Sequence, residues 1–161
     1  MAFRLKITSI LLLICICYSC SDDDSENNLR QNQTIIFGWF GDGLCSGDCT
    51  SIYKLEDNKV YRDIDYADIS DMPFQGNFQE MENANFQDYV ALINQLPSDI
   101  FSEPNGYLGC VNCTEDVGGL YVEYDVNGET KIWKIRNGQS PDYVQTYRSL
   151  ILDKLAELNS L

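Results

Sequence analysis

Residues 119–136 read GLYVEYDVNGETKIWKIR, and the fold turns on them. Asn127-Gly128, set between two runs rich in β-branched and aromatic residues, is the strongest short-range hairpin signal. A two-residue type I′ turn needs left-handed backbone at both central positions, and Asn and Gly adopt it at least cost. That turn fixes the register. Val126 faces Glu129, Tyr124 faces Lys131, Val122 faces Trp133 and Leu120 faces Ile135. Leu120, Val122, Trp133 and Ile135 then share one face, so turn chemistry and burial agree.

Working outward, the same pattern recurs upstream. Thr34 to Phe40 (TIIFGWF) is a short apolar and aromatic run that reads as a buried strand. Gly41 to Cys49 (GDGLCSGDC) is a glycine-rich loop. Ser51 to Glu56 and Lys59 to Ile64 form a second hairpin about Asp57-Asn58. Residues 65–85, acidic and broken by Met72-Pro73 and Gly76, read as a long surface excursion with room for one short strand. Phe86 to Leu96 is helical: Phe86, Tyr89, Val90, Ile93 and Leu96 recur at three- and four-residue spacing, Asn85 caps the start and Pro97 ends it. The last segment opens with Ser140 as cap and Pro141 at the first helical position. Val144, Tyr147, Ile151, Leu155 and Leu158 are its buried stripe.

The order is strand, hairpin, helix, hairpin, helix. Short turns between strands give an antiparallel sheet, and two amphipathic helices need a face to cover. The expected fold is α+β, an antiparallel sheet built from hairpins with both helices packed on one face. Singly alternating strands and helices, which a doubly wound parallel sheet requires, are missing.

The N-terminus carries a different kind of information. Arg4 and Lys6 precede an apolar run from Ile7 to Ile16, too short to span a bilayer. Small Ser19 then precedes Cys20, followed by Ser21-Asp22-Asp23-Asp24. This resembles a bacterial lipoprotein signal, in which residues 1–19 are removed and Cys20 carries acyl chains. An ordinary signal cut near Ser19 or Ser21, leaving a free secreted chain, is the competing reading. The Cys-Ser-Asp-Asp-Asp run is also similar to the surface-export signal of Bacteroidetes-type lipoproteins, which implies an outer-membrane domain facing the cell exterior. Residues 20–33 read as the lipidated cysteine and a flexible acidic tether, and 34–161 as one globular domain.

Composition narrows the partners. Ten Tyr, seven Phe and two Trp are ample for a core. The whole chain has a net charge of −14; removal of Arg4 and Lys6 leaves 9 cations against 25 acids, or −16. Such a charge repels phosphate backbones, which excludes nucleic acid as a partner. Its first reading is solubility in the envelope, and steering of a cationic partner is the alternative.

Once the signal is removed and Cys20 is lipidated, four cysteines remain: Cys45, Cys49, Cys110 and Cys113, spelled CSGDC and CVNC. An even count in an exported domain reads first as two disulfides, with three possible connectivities. Closing a five-residue loop is worth about 2 kcal/mol by chain entropy, and joining the two clusters about 4 kcal/mol, so the lean is toward cross-links. Zinc held by four thiolates is the second reading, although neither pair is followed by the turn glycine of zinc knuckles. Thiol-disulfide exchange by Cys110 and Cys113 is the third. Glu115 and Asp116 favour the neutral thiol there, and Gly118-Gly119 opposes the helix that would lower its pKa.

Other chemistry is sparse. The chain has no histidine, which removes the commonest general base. Ser51-Ile-Tyr-Lys54 matches the S-x-x-K spelling of penicillin-recognising enzymes, but on a strand positions three apart point to opposite sides. Glu80 and Glu82 are a carboxylate pair best read as solvated surface. Asp42 and Asp48 flank a glycine-rich loop without the EF-hand spelling. No catalytic residue, metal ligand, cofactor or small-molecule substrate is assigned.

With CSGDC, the hairpin after it, and Leu108-Gly-Cys-Val-Asn-Cys113 leading into Gly119-Leu-Tyr-Val-Glu-Tyr124, most of residues 34–161 resembles small uncharacterised lipoproteins of Bacteroidetes-type bacteria. The resemblance implies no activity and no catalytic residues. The expectation is a binding or interaction module, attached to the membrane through Cys20 and acting on a protein partner in the envelope. The 41–49 loop with Trp39 and Phe40 is a candidate contact surface, against the plainer alternative of core aromatics followed by a turn.

Overall fold

The structure, a computed structural model, describes residues 33–41, 50–65, 69, 72–109, 118–136 and 139–161. These form a mixed α+β fold on a seven-stranded sheet. The strands are β1 (Gln33–Phe40), β2 (Thr50–Glu56), β3 (Lys59–Asp63), β4 (Phe78–Glu80), β5 (Gly106–Tyr107), β6 (Gly119–Val126) and β7 (Glu129–Arg136). Their order across the sheet is β4-β3-β2-β1-β6-β7-β5. Helix α1 (Ala91–Asn94) follows a 3-10 turn at Phe86–Asp88. Helix α2 (Gln145–Leu158) follows another at Asp142–Val144.

Both hairpins adopt the register their turns dictate. In β6–β7, Val126 pairs with Glu129, Val122 with Trp133 and Leu120 with Ile135. Asn127 and Gly128 have φ of 54° and 83°, the left-handed values of a type I′ turn. In β2–β3, Glu56 pairs with Lys59, and Asp57 and Asn58 have φ of 50° and 60°. β1 lies between β2 and β6, antiparallel to both. Its one glycine has a packing reason: a Cβ at Gly38 would collide with the Ser51 carbonyl and the Ile52 backbone.

The odd-numbered residues of β1, β2 and β7 and the even-numbered residues of β3 and β6 make the main core. Ile35, Phe37, Tyr53, Leu55, Val60, Val122 and Trp133 pack there with Phe86, Tyr89, Leu92, Val144, Tyr147, Ile151 and Leu155. The C-terminal stripe is the one that helical periodicity picks out.

Four expectations need correction. The sheet is mixed, because β5 runs parallel to β7, with Gly106 beside Trp133 and Tyr107 beside Lys134. A two-residue strand carries no periodicity to read, and it is pinned by Asn105, whose Oδ1 accepts from Ile132 N–H at 3.2 Å. Next, 86–96 is not one helix. With three residues per turn in its first part, Phe86, Tyr89 and Leu92 align and bury, while Val90, Ile93 and Leu96 are half-buried. Asn85 does cap, accepting from Gln87 N–H at 3.2 Å. Third, Pro141 precedes a 3-10 turn and α2 itself begins at Gln145, whose Nε2 donates back to Ser140 Oγ at 2.9 Å. Finally, residues 65–85 are more than a surface excursion. Besides β4 they supply Ile69 and Phe74, which bury on the second face of the sheet with Ile36, Phe40, Ile52, Tyr121 and Ile132.

Candidate functional site

The second face concentrates the buried charge. Among the described residues, Asp63, Glu123 and Lys134 are the buried charged side chains, and strand alternation puts all three on that face. Tyr121 lies opposite Lys134, and Glu123 opposite Ile132. Phe74 sits over them. Its N–H donates to Glu123 Oε2 at 2.9 Å and to the Tyr121 hydroxyl oxygen at 3.2 Å. The Tyr121 hydroxyl itself donates to Glu123 Oε2 at 2.5 Å. The Phe74 ring meets those of Tyr121 and Phe78 at centroid distances of 6.0 and 5.9 Å.

Lys134 and Asp63 do similar work to either side. The Lys134 ammonium donates to the Ile69 carbonyl at 3.1 Å and lies 5.5 Å from the rings of Phe40 and Tyr107. Asp63 Oδ1 accepts from Asn77 N–H at 2.8 Å. Each buried charge therefore holds backbone of the 69–77 segment against the sheet. Hydrogen bonds to charged groups are worth about 1.5–3 kcal/mol each. Burial pushes the Tyr121 hydroxyl well above its ordinary value, and the bond to the Glu123 carboxylate pushes it further. Tyr121 is thus a fixed proton donor, and Glu123 an acceptor whose Oε2 is occupied by the fold's own groups. The arrangement clamps a segment.

The S-x-x-K spelling is divided by the sheet. Ser51 Oγ donates to Asn159 Oδ1 at 2.8 Å, and the Tyr53 hydroxyl donates to the same oxygen at 2.7 Å, on the side of α2. Lys54 lies on the opposite face. It pairs with Glu56 at 2.7 Å, with its ammonium 4.9 Å from the Tyr61 ring and 5.0 Å from that of Phe78. Trp39 and Phe40 likewise part: Trp39 packs half-buried against the main core and Phe40 is buried in the second. Both placements fit the core reading, and residues 42–49 of the proposed contact loop lie outside the described residues. Glu80 pairs with Lys59 at 2.6 Å on the edge strand, and Glu82 beside it is exposed.

Cys20, Cys45, Cys49, Cys110 and Cys113 lie outside the described residues, as do Asp42 and Asp48. The strand ends that flank the late cysteines are described. Phe40 pairs with both Thr50 and Gly119, and Gly119 pairs with Arg136. The connections 41–49 and 108–118 thus meet the sheet at the same end. Among the described residues no three His, Cys, Asp or Glu side chains gather as a metal site, and no helix is long and apolar enough to cross a membrane.

Sequence reasoning missed Tyr121, Glu123 and Lys134. In a strand of alternating character they read as the solvent side of the hairpin. The available signal was Ile69, Phe74 and Phe78, apolar residues inside an otherwise polar stretch that need somewhere to bury. Compared with known proteins, the chain matches no family model, no curated protein and no solved structure.

Proposed function

We propose that the chain is a lipid-anchored binding module of the cell envelope, held at the outer membrane through Cys20 and acting by contact with a protein partner, without catalysis. The observation that carries this reading is how the buried charges are used. Asp63, Glu123 and Lys134 each fix backbone of the same chain, which suits a rigid scaffold better than a reaction centre. The leader, the cysteine and the acidic tether ahead of Gln33 supply the anchor. The scaffold is read as a hairpin-built sheet with the helices on one face and the 69–78 segment on the other.

The topology gives this reading a direction. Gln33 pairs with Val126, beside the Asn127-Gly128 turn, so a tether reaches the sheet at its turn end. Eight residues of β1 then carry the chain about 23 Å to the other end. That far end is opposite the point where the tether enters, and it is where the cysteine-bearing connections leave. Cys45, Cys49, Cys110 and Cys113 are proposed as two disulfides stapling these connections. The test uses the full chain expressed in a bacterium with an outer membrane. Labelled fatty acid should enter the parent chain and not Cys20→Ala, and the parent should fractionate with the outer membrane. Alkylation without reductant should leave the four late cysteines unmodified. A soluble, unlabelled parent would overturn the anchor, and ready alkylation of Cys110 and Cys113 would overturn the staples.

A further inference from the structure

β4 is the outermost strand on its side of the sheet, and among the described residues no strand pairs with its outer edge. Ile64 N–H donates to the Asn77 carbonyl at 3.0 Å and Met81 N–H donates to the Val60 carbonyl at 2.8 Å. The groups of 77, 79 and 81 therefore face β3. By alternation, the N–H and C=O of Phe78 and Glu80 face outward, where no strand follows among the described residues. Phe78 is half-buried, and Gln79 and Glu80 are exposed.

Directly beside this edge lies an open cavity of about 340 Å³. Its apolar wall is Ile64, Met81 and Leu161, and its polar rim includes Glu80 and Glu82. Ile64 and Leu161 are 44% and 56% exposed, two of the four large hydrophobic side chains exposed among the described residues. Arg62, also on the rim, is already engaged within the protein. An open strand edge beside an apolar pocket is the arrangement that β-strand addition uses: main-chain bonds give affinity and the pocket reads one side chain.

Charge decides the occupant. A second copy pairing β4 with β4 would bring two chains of net charge −14 together, with Glu80 and Glu82 of each close to those of the other. The short strand and its acids blunt that contact. The same field attracts a cationic segment. We propose that the outer edge of β4 docks an extended, basic segment of a protein partner as an added strand, with one apolar side chain on Ile64, Met81 and Leu161 and a lysine or arginine facing Glu82. This rests on the binding-module reading and names its contact surface.

The test uses the full chain in detergent micelles and a ten-residue peptide of alternating lysine and valine as probe, followed by titration and amide hydrogen exchange. Exchange at Phe78 and Glu80 should slow at least tenfold on saturation. Glu80→Pro removes one outward donor while leaving the backbone bonds to β3, and should weaken binding at least tenfold, while Glu80→Gln loses the same ion pair with Lys59 but keeps the donor and most of the affinity. Glu82→Lys should weaken binding severalfold, more at low salt than at high. No binding, protection elsewhere, or equal affinity for Glu80→Pro would overturn the proposal. So would slowed exchange at these amides without peptide at high protein concentration, which would assign the edge to a second copy. Protection at β4 in a chain that carries no acyl group would remove the anchor and keep the edge. An acylated chain with no protection would do the reverse.

Discussion

Glu123 accepts hydrogen bonds from Phe74 N–H and from the Tyr121 hydroxyl beneath the 69–77 segment. Truncation to alanine leaves both donors buried without that acceptor, a loss of about 3 kcal/mol. Tyr121→Phe keeps the ring, and Glu123 keeps the Phe74 bond, so about 1 kcal/mol is expected there. Urea unfolding midpoints measure both. A Glu123→Ala chain as stable as the parent would contradict the clamp. Lys134 belongs to the same design: its stem packs in the second core while its ammonium meets the Ile69 carbonyl and two aromatic rings. None of these partners is close in sequence. Phe74 lies 49 residues from Glu123 and Ile69 lies 65 from Lys134, and local pattern carries no trace of either pairing.

Elements whose geometry is set locally were legible, and those set by distant partners were not. The two hairpins follow from turn residues that tolerate positive φ. Gly128 shows this in isolation: a Cβ there meets no atom within 4 Å, yet φ is 83°. Gly128→Ala should therefore cost about 1 kcal/mol through backbone strain alone, read as a shift in the unfolding midpoint with unchanged denaturant slope. In 86–96 apolar spacing fits both three and 3.6 residues per turn, and packing against α2 selects the tighter winding at its start. Leu92 is fully buried and Ile93 half-buried. Leu92→Ala should cost about 3 kcal/mol and Ile93→Ala about 1 kcal/mol, measured side by side. The reverse order would restore the continuous helix. β5 could not be foreseen, since its two residues pair with a strand 27 positions later.

At the scale of the whole molecule, several buried tyrosines make the fold sensitive to alkali. Burial pushes the Tyr147 hydroxyl above its usual value near 10, where it donates to the Leu92 carbonyl at 2.7 Å. Tyr121 is raised in the same direction, and burial with the Glu103 hydrogen bond pushes Tyr143 up to about 12. The folded chain keeps these protons longer than the unfolded chain. The stability they contribute is therefore fully present below pH 10 and is lost as pH rises toward the folded values. For Tyr147 the slope approaches about 1.4 kcal/mol per pH unit once the unfolded tyrosine is ionised, and Tyr147→Phe should flatten the decline above pH 10. The scaffold so held was largely visible as α+β in the sequence, while the buried charges of its second face were not. The proposed anchor rests on Cys20, and the proposed staples on the four late cysteines. The most direct test of the central claim, an envelope module tethered at Cys20, is the mass of the N-terminal peptide of the mature chain recovered from outer membranes. The expected peptide begins at Cys20 and carries the mass of added acyl chains; one that begins elsewhere, or begins at Cys20 without added mass, would contradict the account.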